Sequence, residues 1–169
     1  MASLRTTIAA VFLVTASTSG ACSWFRARTP ASAEAVVFAA QAQVITPGDS
    51  LLSVRVVANN RGSLTWTLQL GQCSLNFRVA TLPPAAPRVW DYGRWRSKAN
   101  PRALCLADVA ALRLPPGTSA SAENLQRTVR VRDVLGDSLL PGQYRVTAAV
   151  ALDNMSAADI TAGEVMLKR

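Results

Sequence analysis

Histidine is absent from this chain of 169 residues, and that gap excludes a good deal. No Ser-His-Asp or Cys-His pair can form for nucleophilic catalysis, and no imidazole can ligate a metal. Lysine is almost as scarce, with Lys98 and Lys168 its only representatives. General acid–base chemistry near neutral pH therefore needs a strongly shifted carboxylate or one of those two amines. The 10 carboxylates are scattered. Asp133 and Asp137 flank a turn-like stretch and Asp153-Asn154 marks another, without the dense oxygen spacing of a calcium loop. Asp91 and Glu123 are a separated pair of the kind glycosidases use, but nothing around them singles them out. No glycine-rich phosphate loop occurs. These gaps lead to the expectation of a non-enzyme with no cofactor and no metal.

Long apolar runs are missing as well. Ile8 to Val14 is apolar but too short to span a hydrocarbon core of ~30 Å as a helix. With Arg5 before it and the small residues Ser17 to Ala21 after it, residues 1–21 read as a secretory signal peptide. Cys22 follows directly. Gly20, Ala21 and Cys22 are similar to the lipobox of bacterial lipoproteins, which implies acylation of Cys22, although Ser19 stands where leucine is usual. Ser19 and Ala21 also satisfy an ordinary cleavage site. The chain has three cysteines. Two can pair, and the odd one falls where a lipid acceptor sits. Either route takes the mature protein out of the cytoplasm, with a lipid-anchored position at the cell envelope as the first expectation and plain secretion as the second. Residues 22–34, small, basic and containing Pro30, read as a tether.

What is present is a domain over residues 35–169. Half of the chain is apolar and 17% is charged, a composition that packs a core. A domain of about 135 residues buries roughly two-thirds of its unfolded surface. The formal charge is +8, carried almost entirely by arginine; removing the signal segment takes away Arg5 and leaves 17 basic against 10 acidic side chains. No long basic run appears, so this excess reads first as a solvated surface. Export makes nucleic acid an unexpected partner.

Apolar and polar residues alternate along the chain, the pattern of half-buried antiparallel strands. Leu64–Leu70, Leu75–Val79, Thr128–Arg132 and Tyr144–Leu152 show it clearly; Val36–Val44, Leu52–Asn59, Val109–Leu114 and Glu164–Leu167 show it weakly. A helical turn around Leu104–Ala111 is the one competing signal. Pro47-Gly48, Asn59-Asn60-Arg61-Gly62, Pro115-Pro116-Gly117, Gly136-Asp137 and Pro141-Gly142 punctuate the strands. Gly62 and the asparagines before it are expected to supply positive φ. About seven or eight strands in such a length predict an all-β, immunoglobulin-like antiparallel β-sandwich. Tyr144, placed at a strand start after Pro141-Gly142, is expected to turn its ring inward and bond the preceding corner through its hydroxyl. Cys73 and Cys105 are expected to form a disulfide, with free buried thiols as the alternative.

Some of these residues fall in a familiar order. The run Leu52–Val79, then Val89-Trp90, then Leu114-Pro115-Pro116-Gly117-Thr118-Ser119, then Pro141-Gly142-Gln143-Tyr144 resembles the BsuPI-type domain, named after a bacterial intracellular proteinase inhibitor. The resemblance covers about Leu52 to Leu152. It implies an immunoglobulin-like fold and a proteinase-inhibitor-like activity. The cysteine pair and the export signal depart from an intracellular inhibitor.

One segment holds the candidate partner surface. Arg88-Val89-Trp90-Asp91-Tyr92-Gly93-Arg94-Trp95-Arg96-Ser97-Lys98 combines two tryptophans, a tyrosine and several cations, a mixture enriched at binding surfaces. Trp90 is expected in the core, with Arg88, Tyr92, Arg94, Trp95 and Arg96 exposed for a protein partner; the alternative is a core Trp90 in an otherwise solvated hairpin. Flanking Pro83-Pro84 and Pro101 favour a surface excursion. The function expected is a non-enzymatic, envelope-associated protein-binding module. The alternative is a structural accessory subunit of an envelope complex.

Overall fold

The computed structural model describes residues 35–168 apart from short stretches at 47–49, 84, 86, 102–104, 106–108, 138, 153–154 and 157–158. The expected signal peptide, the tether and Cys22 lie outside the described residues. In chain order the elements are β1 (Val36–Ile45), β2 (Leu51–Asn60), β3 (Trp66–Leu70), β4 (Leu75–Thr81), β5 (Val89–Asp91), α1 (Tyr92–Ala99), β6 (Ala110–Leu114), β7 (Ser119–Ala120), a 3-10 turn (Glu123–Leu125), β8 (Gln126–Arg130), α2 (Val131–Asp137), β9 (Gly142–Leu152), β10 (Met155–Ser156) and β11 (Ile160–Leu167). Eight of the strands have five residues or more.

Among the described residues every strand pairing is antiparallel, and two sheets enclose one core. In the first, β2 pairs with β1 on one side and with β8 and β7 on the other. In the second, β9 pairs with β4 and β11, β10 extends β9 at its far end, and β5 adds to the outer side of β4. β3 and β6 form a separate ribbon. The fold is an all-β, immunoglobulin-like sandwich, with β1 of the first sheet beside β11 of the second.

Alternation supplies the core. Leu52, Val54, Val56 and Ala58 of β2 are fully buried in one core cluster with Phe77 and Val79 of β4, Val146 and Ala148 of β9 and Leu167 of β11. Burying each large aliphatic side chain contributes about 1.5–3 kcal/mol. Tyr144 is 4% exposed, and its hydroxyl donates to the Leu140 carbonyl. The tyrosine corner read from Pro141-Gly142-Gln143-Tyr144 is therefore present.

Three local readings change. Thr128–Arg132 is not all strand, because β8 ends at Arg130 and Val131 opens α2. Val131, Val134 and Leu135 are buried at helical spacing, and packing three apolar residues on one helical face outweighs the two-residue alternation of Val129 and Val131. Gly136-Asp137 thus ends a helix instead of making a free-standing turn. Of the stretch Leu104–Ala111, Ala110 and Ala111 belong to β6 rather than a helical turn, while residues 104 and 106–108 lie outside the described residues.

The third concerns Asn59-Asn60-Arg61-Gly62. Among the described residues only Gly117 and Gly163 have positive φ. The reversal is built by the Asn60 side chain instead. Asn60 is 2% exposed. Its amide donates to the Leu64 carbonyl at 2.7 Å and the Leu114 carbonyl at 2.9 Å, while its oxygen accepts from the Gly62 N–H at 2.9 Å. Its backbone N–H donates to the Thr118 carbonyl and its carbonyl accepts from Gly117, which stands at φ 69° in the Pro115–Thr118 turn. The Asn60 backbone thus holds the approach to β7, while its side-chain amide ties the end of β2 to the Leu64 and Leu114 carbonyls and the Gly62 N–H. Asn60→Leu, similar in size, leaves these backbone groups unmatched, and is expected to lower stability by about 2–4 kcal/mol. A urea midpoint within error of the wild type would contradict this role.

Candidate functional site

The segment after β5 is a helix, not a hairpin. Its start is dictated by two side chains. Asp91 is the N-cap, and its Oδ1 accepts from the Arg94 N–H at 3.0 Å. Asn76 of β4 reaches across and its Oδ1 accepts from the Gly93 N–H at 2.9 Å. The opposite end holds Arg96 and Lys98 in the last turn, where positive charge suits the helix dipole. Pro101 follows, where a helix cannot continue.

Aromatic rings hold α1 to the sheet. Trp90 is 1% exposed and lies 5.6 Å from Phe77, 6.4 Å from Tyr92 and 5.9 Å from Trp95, centroid to centroid. Tyr92 stacks on Phe77 at 5.0 Å and meets Trp95 at 5.8 Å. The core position expected for Trp90 is correct. The exposed positions expected for Tyr92, Trp95 and Arg96 are not: all three are half-buried, because Tyr92 stacks on Phe77, Trp95 packs on Trp90 and Tyr92, and Arg96 turns to Gln72 and Cys73. Truncating Trp95 thus removes packing as well as surface.

The expected partner residues separate into three groups. Arg94 and Trp95 line a cleft of about 490 Å³ with Arg78, Val89, Trp90, Asp91 and Lys98. Trp95 and Lys98 also border a second cleft of about 430 Å³ between α1 and α2, opposite Arg132 and Asp133. Tyr92 and Arg96 face a third, about 360 Å³, with Gln72, Glu123 and Arg127. Arg88 is exposed and lines none of these clefts; its N–H donates to Thr81 Oγ1 and its carbonyl accepts from the Thr81 N–H, which pins the start of β5 to β4. Asp91 and Glu123 line different clefts.

Charge inside the first cleft is unevenly committed. Arg78 bonds Asp91 at 3.3 Å and Asp159 at 3.5 Å. Burial alone raises the Asp91 carboxyl, but the Arg94 N–H, the Arg78 and Asn76 side chains and the Arg78 charge together hold it below the ordinary aspartate value. Its stabilising contribution is present above the unfolded-state pKa and is lost only as pH falls through that depressed folded-state value. The Arg94 guanidinium, by contrast, has no hydrogen-bond or ion-pair partner among the described residues. In the third cleft Arg96 Nη1 lies 3.4 Å from the Gln72 carbonyl and 3.7 Å from Cys73 Sγ, and Arg127 donates to the same carbonyl at 2.5 Å. Burial lowers the Arg127 pKa and the Arg96 charge adds to the effect, against Tyr92 and Glu123.

Cys73 and Cys105 are joined, with Cα atoms 5.4 Å apart across 32 positions of sequence. The bond ties the start of β4 to the chain beyond α1, so β4, β5 and α1 lie within one closed loop. Among the described residues no group of three or more His, Cys, Asp or Glu side chains is placed to hold a metal ion. Val89 and Lys98 line the first cleft from within the segment singled out in the sequence, though neither is among the residues named there for a partner; Arg78 lies outside that segment. Lys98, one turn beyond Arg94, was within reach of a helical reading. Arg78 was not, since it arrives from β4 through sheet pairing.

No family model matches the chain, and no curated protein matches it. Among solved structures, a β-glucosidase from Erythrobacter marinus aligns with 75% of this chain at 17% identity and a TM-score of 0.37. One from Kluyveromyces marxianus aligns with 79% at 12% identity and 0.40, and β-glucosidase 3B from Thermotoga neapolitana with 79% at 17% and 0.36. The chain spans 15%, 14% and 17% of their respective lengths. At such scores these likenesses assign this chain neither an activity nor a substrate.

Proposed function

We propose that this chain is a non-enzymatic binding module of the cell envelope that engages another protein through α1 and the clefts beside it. The observation that carries the reading is the construction of that surface. A helix of eight residues is fastened to the sandwich by a cluster of four aromatic rings and a disulfide loop, and presents Arg94, Trp95 and Lys98 between two clefts. Rigid Trp, Tyr and Arg residues around a desolvated pocket are the usual composition of an interface hot spot. The resemblance to the BsuPI-type domain supports a proteinase-inhibitor-like role, and the lipobox-like Cys22 supports anchoring to the membrane.

Site-specific photo-cross-linking in the native host tests the reading. A photoreactive residue at Lys98 is expected to give a discrete protein adduct in the membrane fraction. The same residue at Arg55, exposed on β2 and outside the three clefts, is expected to give none. An adduct pattern identical at both positions, or none at Lys98, would refute the α1 surface as the docking site.

A further inference from the structure

The first cleft has a strand edge for one wall. β5 is the last strand of its sheet and pairs with β4 alone among the described residues. Beside that pair the Thr81 N–H donates to the Arg88 carbonyl, and the Arg88 N–H donates to the Thr81 hydroxyl. Antiparallel pairs alternate between bonded and non-bonded residues, so Trp90, opposite Val79, points its backbone groups at β4. Val89, opposite Ala80, points its N–H and C=O outward. Val89 is 55% exposed and lines the cleft. Trp90, on the same cleft, carries the one buried side-chain nitrogen or oxygen without a hydrogen-bond partner among the described residues, its indole Nε1.

We infer that this cleft receives an extended acidic segment of the partner protein, laid beside β5 as an added strand. The inference rests on the protein-binding reading above and names the chemistry of the partner. An exposed strand edge offers main-chain donors and acceptors in the geometry of another strand, and neighbouring pockets select its side chains. Here the outward Val89 groups supply the main-chain pairing. Arg94, whose guanidinium has no partner among the described residues, lines the opposite wall and selects acidic side chains, with Lys98 one turn further along α1. Trp95 gives an apolar face to the residue between them. Asp91, the one acidic side chain lining the cleft among the described residues, has its charge met by Arg78, which leaves the Arg94 charge open to a ligand. The main-chain edge is what favours a peptide over an acidic glycan, which has no backbone to pair.

The test uses the folded, oxidised domain and a fluorescent eight-residue peptide alternating glutamate with valine and phenylalanine. Binding is expected to be at least about tenfold tighter than for the same peptide with lysine in place of glutamate, and to weaken as salt rises. Arg94→Glu with Lys98→Glu is expected to reduce affinity by at least about tenfold. Arg55→Glu with Arg113→Glu, equal in charge change but outside the cleft, is expected to leave it nearly unchanged. Methylating alternate backbone nitrogens of the peptide, which removes strand pairing, is expected to abolish binding. Val89→Pro deletes the outward donor at an edge position where proline is tolerated, and is expected to weaken binding while the far-ultraviolet circular dichroism stays the same. Equal affinity for the lysine peptide, for the methylated peptide or for hyaluronate would overturn the inference, as would indifference to the Arg94 and Lys98 reversals. In any of those cases a persistent adduct at Lys98 would leave the protein-binding reading standing with a different docking chemistry.

Discussion

Trp90→Ala is expected to lower the unfolding free energy by about 3–5 kcal/mol. For a domain whose total stability is on the order of 5–15 kcal/mol, that is the largest loss expected of any single side chain here. Trp90 is the largest of the fully buried side chains, and its ring contacts Phe77, Tyr92 and Trp95. Removing it opens a cavity under α1, which has no fully buried residue of its own. The helix then loses the floor beneath Tyr92 and Trp95. Two readouts are therefore expected to move together: the urea midpoint, followed by circular dichroism since tryptophan emission changes with the substitution, and affinity at the cleft. Trp90→Phe keeps a ring and is expected to retain most of both. A Trp90→Ala variant destabilised by less than about 1 kcal/mol would mean that the cluster does not support α1.

Reducing the Cys73–Cys105 bond is expected to cost about 3–4 kcal/mol, the chain-entropy value for a loop of this length. The corresponding fall in melting temperature is roughly 10–15 °C for a domain of this size. The β-type circular dichroism is expected to survive, because the buried faces of β2, β4, β9 and β11 do not depend on the bond for their packing. Cys73→Ser with Cys105→Ser is expected to reproduce the reduced state. The loss should fall most heavily on β5 and α1, which lie inside the closed loop and contribute few buried residues apart from Trp90. Amide exchange in that segment is expected to rise before exchange in β2 or β9. Two titratable thiols in the folded, oxidised protein, or an unchanged melting temperature after reduction, would contradict the assignment.

Long-range order was legible where a local pattern had a single structural solution. Leu75, Phe77 and Val79 alternate, as do Tyr144, Val146, Ala148 and Val150, and each set became one buried face. Tyr144 after Pro141-Gly142 specified both a strand start and a hydrogen bond. Pro115-Pro116-Gly117 specified a turn, because Gly117 takes the positive φ that the turn requires. The pairing of Cys73 with Cys105 followed from parity and from the position of Cys22.

The working surface was legible only in composition. The sequence by itself determined the alternating strands, the tyrosine corner, the cysteine pair and a buried Trp90 beside a cluster of arginines and aromatics. Tertiary structure decided that this cluster is a helix: the local cap from Asp91 is completed by Asn76, and Phe77 stacks on Tyr92, two contacts from β4 that sequence spacing does not bring near. It also decided that Arg94 and Lys98 share a cleft with Arg78 and Val89 while Arg96 turns to Gln72 and Cys73. The physical reason is the same in each case. A strand's buried face repeats every two residues and can be read from the chain, whereas a cap, a ring stack or a shared cleft depends on which side chains sheet pairing carries across the fold.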